Sequence, residues 1–194
     1  MLPTDVRKTP AELEEVYFAL ADKLSQIIAI PVAFKLGNHF TNPLRIIEQL
    51  WYRKAKGVVL FNRFFEPDFD INTMKVIPAS IFSNASDIRN TLRWVGMANH
   101  LVPKIDISAS TGVHDGDAMI KMILAGASSV QVCSTVYKNG PQHIDTMLNS
   151  MADWMNKKGY KSISDFKGLM NYGHIENPSH YERSQFMKYY SNYE

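Results

Sequence analysis

The chain has 194 residues, 45% of them hydrophobic and 21% charged, with a formal net charge of +2. That length supports one domain with a sizeable core, and the composition excludes an intrinsically disordered chain. The balance of charge gives no reason to expect nucleic acid or an anionic membrane, and no apolar run reaches the ~18 residues of a membrane span. The single cysteine, Cys133, excludes a disulfide framework within the chain and fits a reducing cytoplasm. Met1-Leu2-Pro3-Thr4-Asp5 has neither the basic nor the apolar region of a signal peptide, and reads as mid-protein sequence behind an initiator Met.

Thr9-Pro10-Ala11-Glu12 predicts a helix start, with Thr9 as cap, Pro10 at the first helical position and Glu12 completing a capping box. Leu13, Val16, Leu20, Leu24, Ile27 and Ile28 then recur at steps of three and four, an apolar helical stripe. Residues 30–36 (IPVAFKL) follow as a short apolar strand. Asn42-Pro43 opens a second helix with Ile46, Ile47, Leu50 and Trp51 on one face, and Gly57 is expected to end it as a left-handed C-cap. Val58-Val59-Leu60-Phe61 is the continuous apolar run of a strand buried on both faces.

The rhythm breaks at residues 63–84, rich in Phe, Asp, Asn and Pro, which read as an insertion with a short β-hairpin around residues 74–82. Helix returns over residues 84–98, with Ile88, Leu92 and Val95 on one side. A strand is expected at 104–109, a helix at 116–125 stopped by Gly126, and a last strand at 129–133. Residues 141–158 predict an amphipathic helix carrying Ile144, Met147, Leu148, Met151 and Met155, closed by Gly159. A polar, tyrosine-rich extension fills 160–194, with a short helix near 164–169.

Strands alternating with helices imply right-handed crossovers and a parallel sheet. Both a doubly wound open sheet and a (β/α)8 barrel fit. A full barrel takes about 250 residues, so as a barrel this chain supplies roughly the second half. The expected organisation is one domain over 1–194, a half-barrel of about four βα units with the 63–84 insertion and the 160–194 extension.

The segment over residues 105–140 carries the most specific chemistry. One strand ends at Ser110-Thr111-Gly112, a helix follows from about Asp115–Asp117, and a second strand ends at Cys133-Ser134-Thr135. Loops after the last two strands of a barrel often form a phosphate site. Gly112 lets backbone approach an anion, and N–H groups and a helix N-terminus face it. Taken singly, Gly112 also suits a tight turn and Ser134 a helix cap; the tandem, one βα unit apart, favours phosphate.

This segment resembles the end of the dihydroorotate dehydrogenase family, closest to its bacterial "dihydroorotate dehydrogenase-like" branch. The resemblance implies a TIM-barrel fold, an FMN cofactor, and oxidation of dihydroorotate to orotate in pyrimidine biosynthesis. It places the FMN phosphate on Thr111, Gly112 and Val113 in the first loop and on Cys133 and Ser134 in the second. Thr111 and Cys133 stand where the family prefers glycine, adding volume where backbone would meet phosphate. Ile30-Pro31-Val32-Ala33-Phe34-Lys35-Leu36 resembles the strand whose lysine contacts the flavin, which gives that role to Lys35; a lysine reaching from the strand end to water is the plainer alternative. Phe61-Asn62-Arg63-Phe64 resembles the strand end that supplies a substrate-binding asparagine, here Asn62, whose amide offers a donor and an acceptor to orotate. By itself Asn62 also suits a turn into the insertion. The resemblance extends over the Arg89–Trp94 region and residues 184–190.

The family's catalytic base, a cysteine or serine on a loop over the substrate, belongs to the half of the barrel not matched here, so no catalytic residue is assigned to this chain. Cys133 falls at the phosphate end and is expected to be an inert thiol packed on an apolar strand. The six histidines show no metal spacing, and Asp115 and Asp117 read as charges at a helix N-terminus. Besides an FMN oxidoreductase, which the resemblance makes cytoplasmic, a non-catalytic half-barrel that assembles as a homodimer fits, because a four-stranded parallel sheet leaves open edges. A related flavoprotein acting on another substrate also fits.

Overall fold

The computed structural model describes residues 4–183. The first helix, α1 (Pro10–Ile27), begins as its sequence dictates: Thr9 Oγ1 accepts the Glu12 N–H, and the Glu12 carboxylate accepts the Thr9 N–H at 2.7 Å. Its rotation is not the one the apolar stripe suggests. Phe18 and Ala21 are buried, whereas Val16 and Ile27 are 62% and 68% exposed. The buried side meets the next helix, α2 (Pro43–Tyr52). Arg45 pairs with Glu14, Arg53 pairs with Asp22, and the Arg53 guanidinium sits 4.5 Å above the Phe18 ring. Glu14, Phe18 and Asp22 lie one turn apart on one face; Phe18 enters the core there, the ion pairs flank it, and the Val16–Leu20 side faces outward.

Strand β1 (Ala33–Leu36) precedes α2, which buries Ile46, Ile47 and Leu50 as expected. Gly57 does not cap α2. The helix ends at Tyr52 with Arg53 as its cap residue, Lys54 takes the left-handed conformation (φ 69°), and Gly57 opens strand β2 (Gly57–Leu60). A Cβ at Gly57 would stand 3.3 Å from both Ala33 Cβ and Asp106 O, so the glycine serves close strand packing. The hairpin consists of β3 (Pro67–Asp70) and β4 (Lys75–Pro78), nearer the N-terminus than expected. Asp70 Oδ1 accepts the N–H groups of Asn72 and Thr73, which sets the turn between the strands.

A 3₁₀ turn (Ala85–Asp87) leads into α3 (Ile88–Leu101), followed by β5 (Asp106–Ser110), α4 (Gly116–Ala125), β6 (Ser129–Gln131), α5 (Ser134–Asn139) and α6 (His143–Lys158). Gly126 and Gly159 close α4 and α6 in the left-handed region, as the sequence indicates. The tail begins with a 3₁₀ turn (Ile163–Asp165), upstream of the expected helix, and ends in α7 (Ser179–Glu182). Phe166 is fully buried, and Asn171 binds Asn99, which in turn binds Gly126 O. These contacts fasten the tail to α3 and α4. The resemblance over residues 184–190 lies outside the described residues.

The main sheet is parallel throughout, in the order β1-β2-β5-β6. Strand order follows chain order with no reversal. A doubly wound sheet reverses at a switch point, whereas a barrel does not. The partial-barrel reading is therefore borne out, and among the described residues the sheet does not close. Leu36, Val58, Leu60, Ile107 and Ala109 are buried in the core that the helices cover. Alternate residues face the other way: Lys35, Ser108, Ser129 and Gln131 are polar, with Ala33 and Val59 between them.

Candidate functional site

The C-terminal ends of the four parallel strands converge on a cleft of about 240 Å³. All of the residues singled out from the sequence line it: Lys35 from β1, Asn62 beyond β2, Thr111, Gly112 and Val113 beyond β5, and Cys133 and Ser134 beyond β6. The volume falls below the ~300–1,000 Å³ of a typical small-molecule pocket. It therefore suits one part of a nucleotide rather than the whole of a large ligand.

Each position follows from a local cause. Phe61 N–H donates to Ser110 O at 3.2 Å and Asn62 N–H to Leu36 O at 2.7 Å, so the end of β2 is pinned between both neighbours with Asn62 exposed beside them. Lys35 is the third residue of β1, and its Nζ lies 3.5 Å from Gln131 Oε1. No carboxylate pairs with it among the described residues.

The first loop has two consecutive residues in the left-handed region, Thr111 (φ 83°) and Gly112 (φ 80°). Threonine at such an angle is strained, because its branched Cβ crowds the backbone. The Thr111 hydroxyl donates to Phe61 O at 3.0 Å, which offsets part of that cost. At Gly112 the glycine is required by packing: a Cβ would stand 2.7 Å from the Asp87 carbonyl carbon and would overlap Ile88 N. The tight-turn reading of Gly112 is thus correct as far as it goes. The turn aims the 111–113 backbone at the cleft. Among the described residues, the N–H groups of Thr111, Gly112, Val113, Cys133 and Ser134 have no acceptor. Clustered unpaired N–H groups are the defining feature of an anion cradle.

The helix N-terminus expected to help does not face the cleft unopposed. Asp115 Oδ1 accepts the Ala118 N–H at 2.7 Å and Asp117 lies in the first turn, so α4 meets the chain's own carboxylates. Both aspartates have the helix-terminal role read from the sequence. Cys133 departs from expectation. The last strand stops at Gln131, so Cys133 is the cap residue of α5, and its thiol is exposed rather than packed on a strand.

Two residues that line the cleft, Arg63 and Ser83, and His114 in contact with Ser83, escaped sequence reasoning. Arg63 donates to Ser80 O (2.7 Å) and Ile81 O (3.0 Å), pairs with Glu66 at 2.6 Å, and lies 3.8 Å from Asp87. It clamps both ends of the hairpin segment against the start of α3. Ser83 and His114 contact each other, and Ser83 also contacts Ser134. A basic residue directly after a strand end was a usable signal for Arg63. Ser83 and His114 come together only through tertiary contacts.

No protein-family model matches the chain. Among curated proteins it is 35% identical over 177 residues to dihydroorotate dehydrogenase A (fumarate) of Lactococcus lactis subsp. cremoris, covering 87% of this chain and 55% of that protein. The protein of the same name from Lactococcus lactis subsp. lactis is 35% identical over 175 residues, with the same coverage. A probable dihydroorotate dehydrogenase A (fumarate) of Streptococcus pneumoniae is 40% identical over 72 residues, which are 37% of this chain and 23% of that protein. The resemblance read from the sequence is borne out, and the chain spans about half the length of the Lactococcus relatives.

Proposed function

We propose that this chain, a homologue of the fumarate-type dihydroorotate dehydrogenases along most of its length, is the FMN-phosphate-binding half of an oxidoreductase that converts dihydroorotate to orotate in pyrimidine biosynthesis. The observation that carries the reading is the convergence of acceptor-free N–H groups at residues 111–113 and 133–134 with Lys35 and Asn62 on one cleft. These residues fit the group. The unpaired N–H groups suit the oxygens of a phosphate, which accept hydrogen bonds. The cation of Lys35 suits the anionic reduced ring of a flavin.

FMN, when bound, supplies a hydride acceptor. The chain's own residues bind and orient. Thr111, Gly112, Val113, Cys133 and Ser134 hold the phosphate through backbone N–H groups, and Ser134 adds a hydroxyl. Lys35 would supply the positive charge that favours an anionic flavin ring. Asn62 offers an amide donor and acceptor to the substrate, dihydroorotate or orotate. Cys133 lies with the phosphate loops and does not take the role of the base that removes a proton from the substrate. The chain works as a single domain over 1–194, with 63–84 as insertion and 160–194 as extension, in the cytoplasm.

The test is a titration of the purified 194-residue protein with FMN and with riboflavin. FMN is expected to bind at least about ten-fold tighter, the value of a phosphate with charge-assisted hydrogen bonds, and to show its band near about 450 nm. Equal affinity for the two refutes the phosphate assignment. Orotate should then perturb the bound flavin spectrum; failure of orotate alone points to a related flavoprotein with another substrate. Steady turnover of dihydroorotate by this chain by itself would refute the absence of a base.

One observation favours a second reading, a non-catalytic half-barrel that assembles as a homodimer. The Val16, Leu20 and Ile27 side of α1 is exposed, and β1 and β6 are open edges of the sheet. A second copy could cover both. Sedimentation as a monomer at high concentration would rule this out.

A further inference from the structure

Ser134 does more than line the cleft. Its Oγ accepts the Ser83 N–H at 2.9 Å and lies 3.0 Å from Ser83 Oγ, which in turn lies 3.1 Å from His114 Nε2. The cluster is held from several sides. Lys138 Nζ donates to Ser83 O at 3.2 Å. The His114 carbonyl accepts both Thr135 Oγ1 and His143 Nε2, each at 2.9 Å. Ser83 is 6% exposed and Thr135 is fully buried.

Proton counting gives this cluster a direction. A hydroxyl has one proton and two lone pairs. Ser134 Oγ already accepts one N–H. If it also accepts the Ser83 proton, both lone pairs are filled, and its own proton has no acceptor among the described residues. That proton is then available to the cleft. Ser83, having given its proton to Ser134, must accept from His114, which requires a proton on His114 Nε2. In the reverse direction Ser134 gives its proton to Ser83 and offers the cleft no hydroxyl donor. The dianion of a phosphomonoester only accepts, so it selects the first direction.

We propose that His114, Ser83 and Ser134 form a polarised donor chain that ends on the phosphate of a phosphomonoester bound in the cleft. Each bond in the chain strengthens the next, because a hydroxyl that accepts a hydrogen bond becomes a better donor. Ser83 comes from the end of the 63–84 segment, so the insertion takes part in holding the anion. Two further donors thereby support a cradle in which Thr111 and Cys133 add side-chain volume. The proposal rests on the reading of this cleft as a phosphate site, but its chemistry is separable from the flavin.

The test is nitrogen-15 NMR of the histidine rings in the full chain, titrated with inorganic phosphate, FMN and riboflavin. Phosphate is expected to drive His114 to the form protonated at Nε2. Ser83→Ala keeps the Ser83 N–H bond to Ser134 but removes the relay; it should abolish that response and weaken phosphate binding about ten-fold. Ser83→Thr, which keeps the hydroxyl, should restore both. His114→Phe leaves the hydroxyls in place and should weaken binding about two- to three-fold through lost polarisation, a second measure if Ser83→Ala does not fold. Wild-type phosphate affinity in Ser83→Ala, or a His114 signal that phosphate leaves unchanged, overturns the chain. Phosphate bound with these responses, but FMN bound no tighter than riboflavin, upholds the chain and sinks the flavin reading. FMN preferred over riboflavin, with Ser83→Ala unaffected, does the reverse.

Discussion

Replacing Thr111 separates two effects that normally run together. At ordinary positions glycine is less stable than alanine by roughly 0.5–1 kcal/mol, because the unfolded chain gains freedom. At Thr111 φ is 83°, where any Cβ is strained by roughly 1–2 kcal/mol. Thr111→Ala loses the hydroxyl bond to Phe61 O, about 1 kcal/mol, and keeps the strain. Thr111→Gly loses the same bond, relieves the strain and carries the entropy cost of glycine. The net expectation is that alanine destabilises by about 1 kcal/mol and that glycine lies about 0.5–1 kcal/mol above alanine, close to wild type. Urea denaturation followed by tryptophan fluorescence measures the order directly, with unchanged m-values as the check on comparable unfolded states. If alanine proves as stable as glycine or more so, the strain argument fails, and with it the account of why a glycine suits this turn.

Gly112→Ala should be far worse than either, at about 3 kcal/mol or more, since its Cβ would collide with the backbone of Asp87 and Ile88 rather than with a movable side chain; a midpoint near wild type would show that the loop can shift. A charge on the outer side of α1, as in Val16→Glu with Leu20→Lys, should change stability by only about 0.5 kcal/mol while lowering any self-association seen by light scattering. A large loss of stability would mean that this side is covered within the monomer. The Asp165 carboxylate is held below its ordinary value of 3.8 by the Ser162 and Lys161 N–H groups it accepts and then by the Ser162 hydroxyl. Its folded pKa is lowered, so its contribution is complete above the unfolded value and is lost as pH falls through the folded one. Asp165→Asn should therefore flatten the decline in stability below about pH 4, and an identical acid limb in urea midpoints would contradict that.

The features that depend on neighbours along the chain are legible in the sequence itself. The Thr9–Glu12 capping box, the Gly126 and Gly159 caps and the Asp115 cap each involve residues within one turn of one another. The strand ends carrying Lys35, Asn62, Thr111–Gly112–Val113 and Cys133–Ser134 are readable from βα alternation, and parallel pairing necessarily brings strand ends to one edge. Where expectation failed, a distant partner decided. Burial of Phe18 and Ala21 against the body, flanked by Arg45 of α2 and Arg53 at its cap, left the predicted apolar stripe of α1 facing solvent. Gly57 was reassigned by Ala33 and Asp106 on neighbouring strands, and Cys133 was left exposed because β6 pairs only through Gln131.

The sequence by itself therefore determined the alternation of the main strands and helices, though not α5 or α7, together with the parallel sheet and the residues that reach its C-terminal edge, since these follow from periodicity, capping and chain direction. Only the tertiary structure decided which way each face turned. It also brought Ser83 from the insertion and His114 from the β5 loop together beside Ser134, although Ser83 lies 51 positions from Ser134 along the chain. Hydrogen bonds act over about 3 Å, and no spacing rule in a linear sequence says which distant groups will come within that reach.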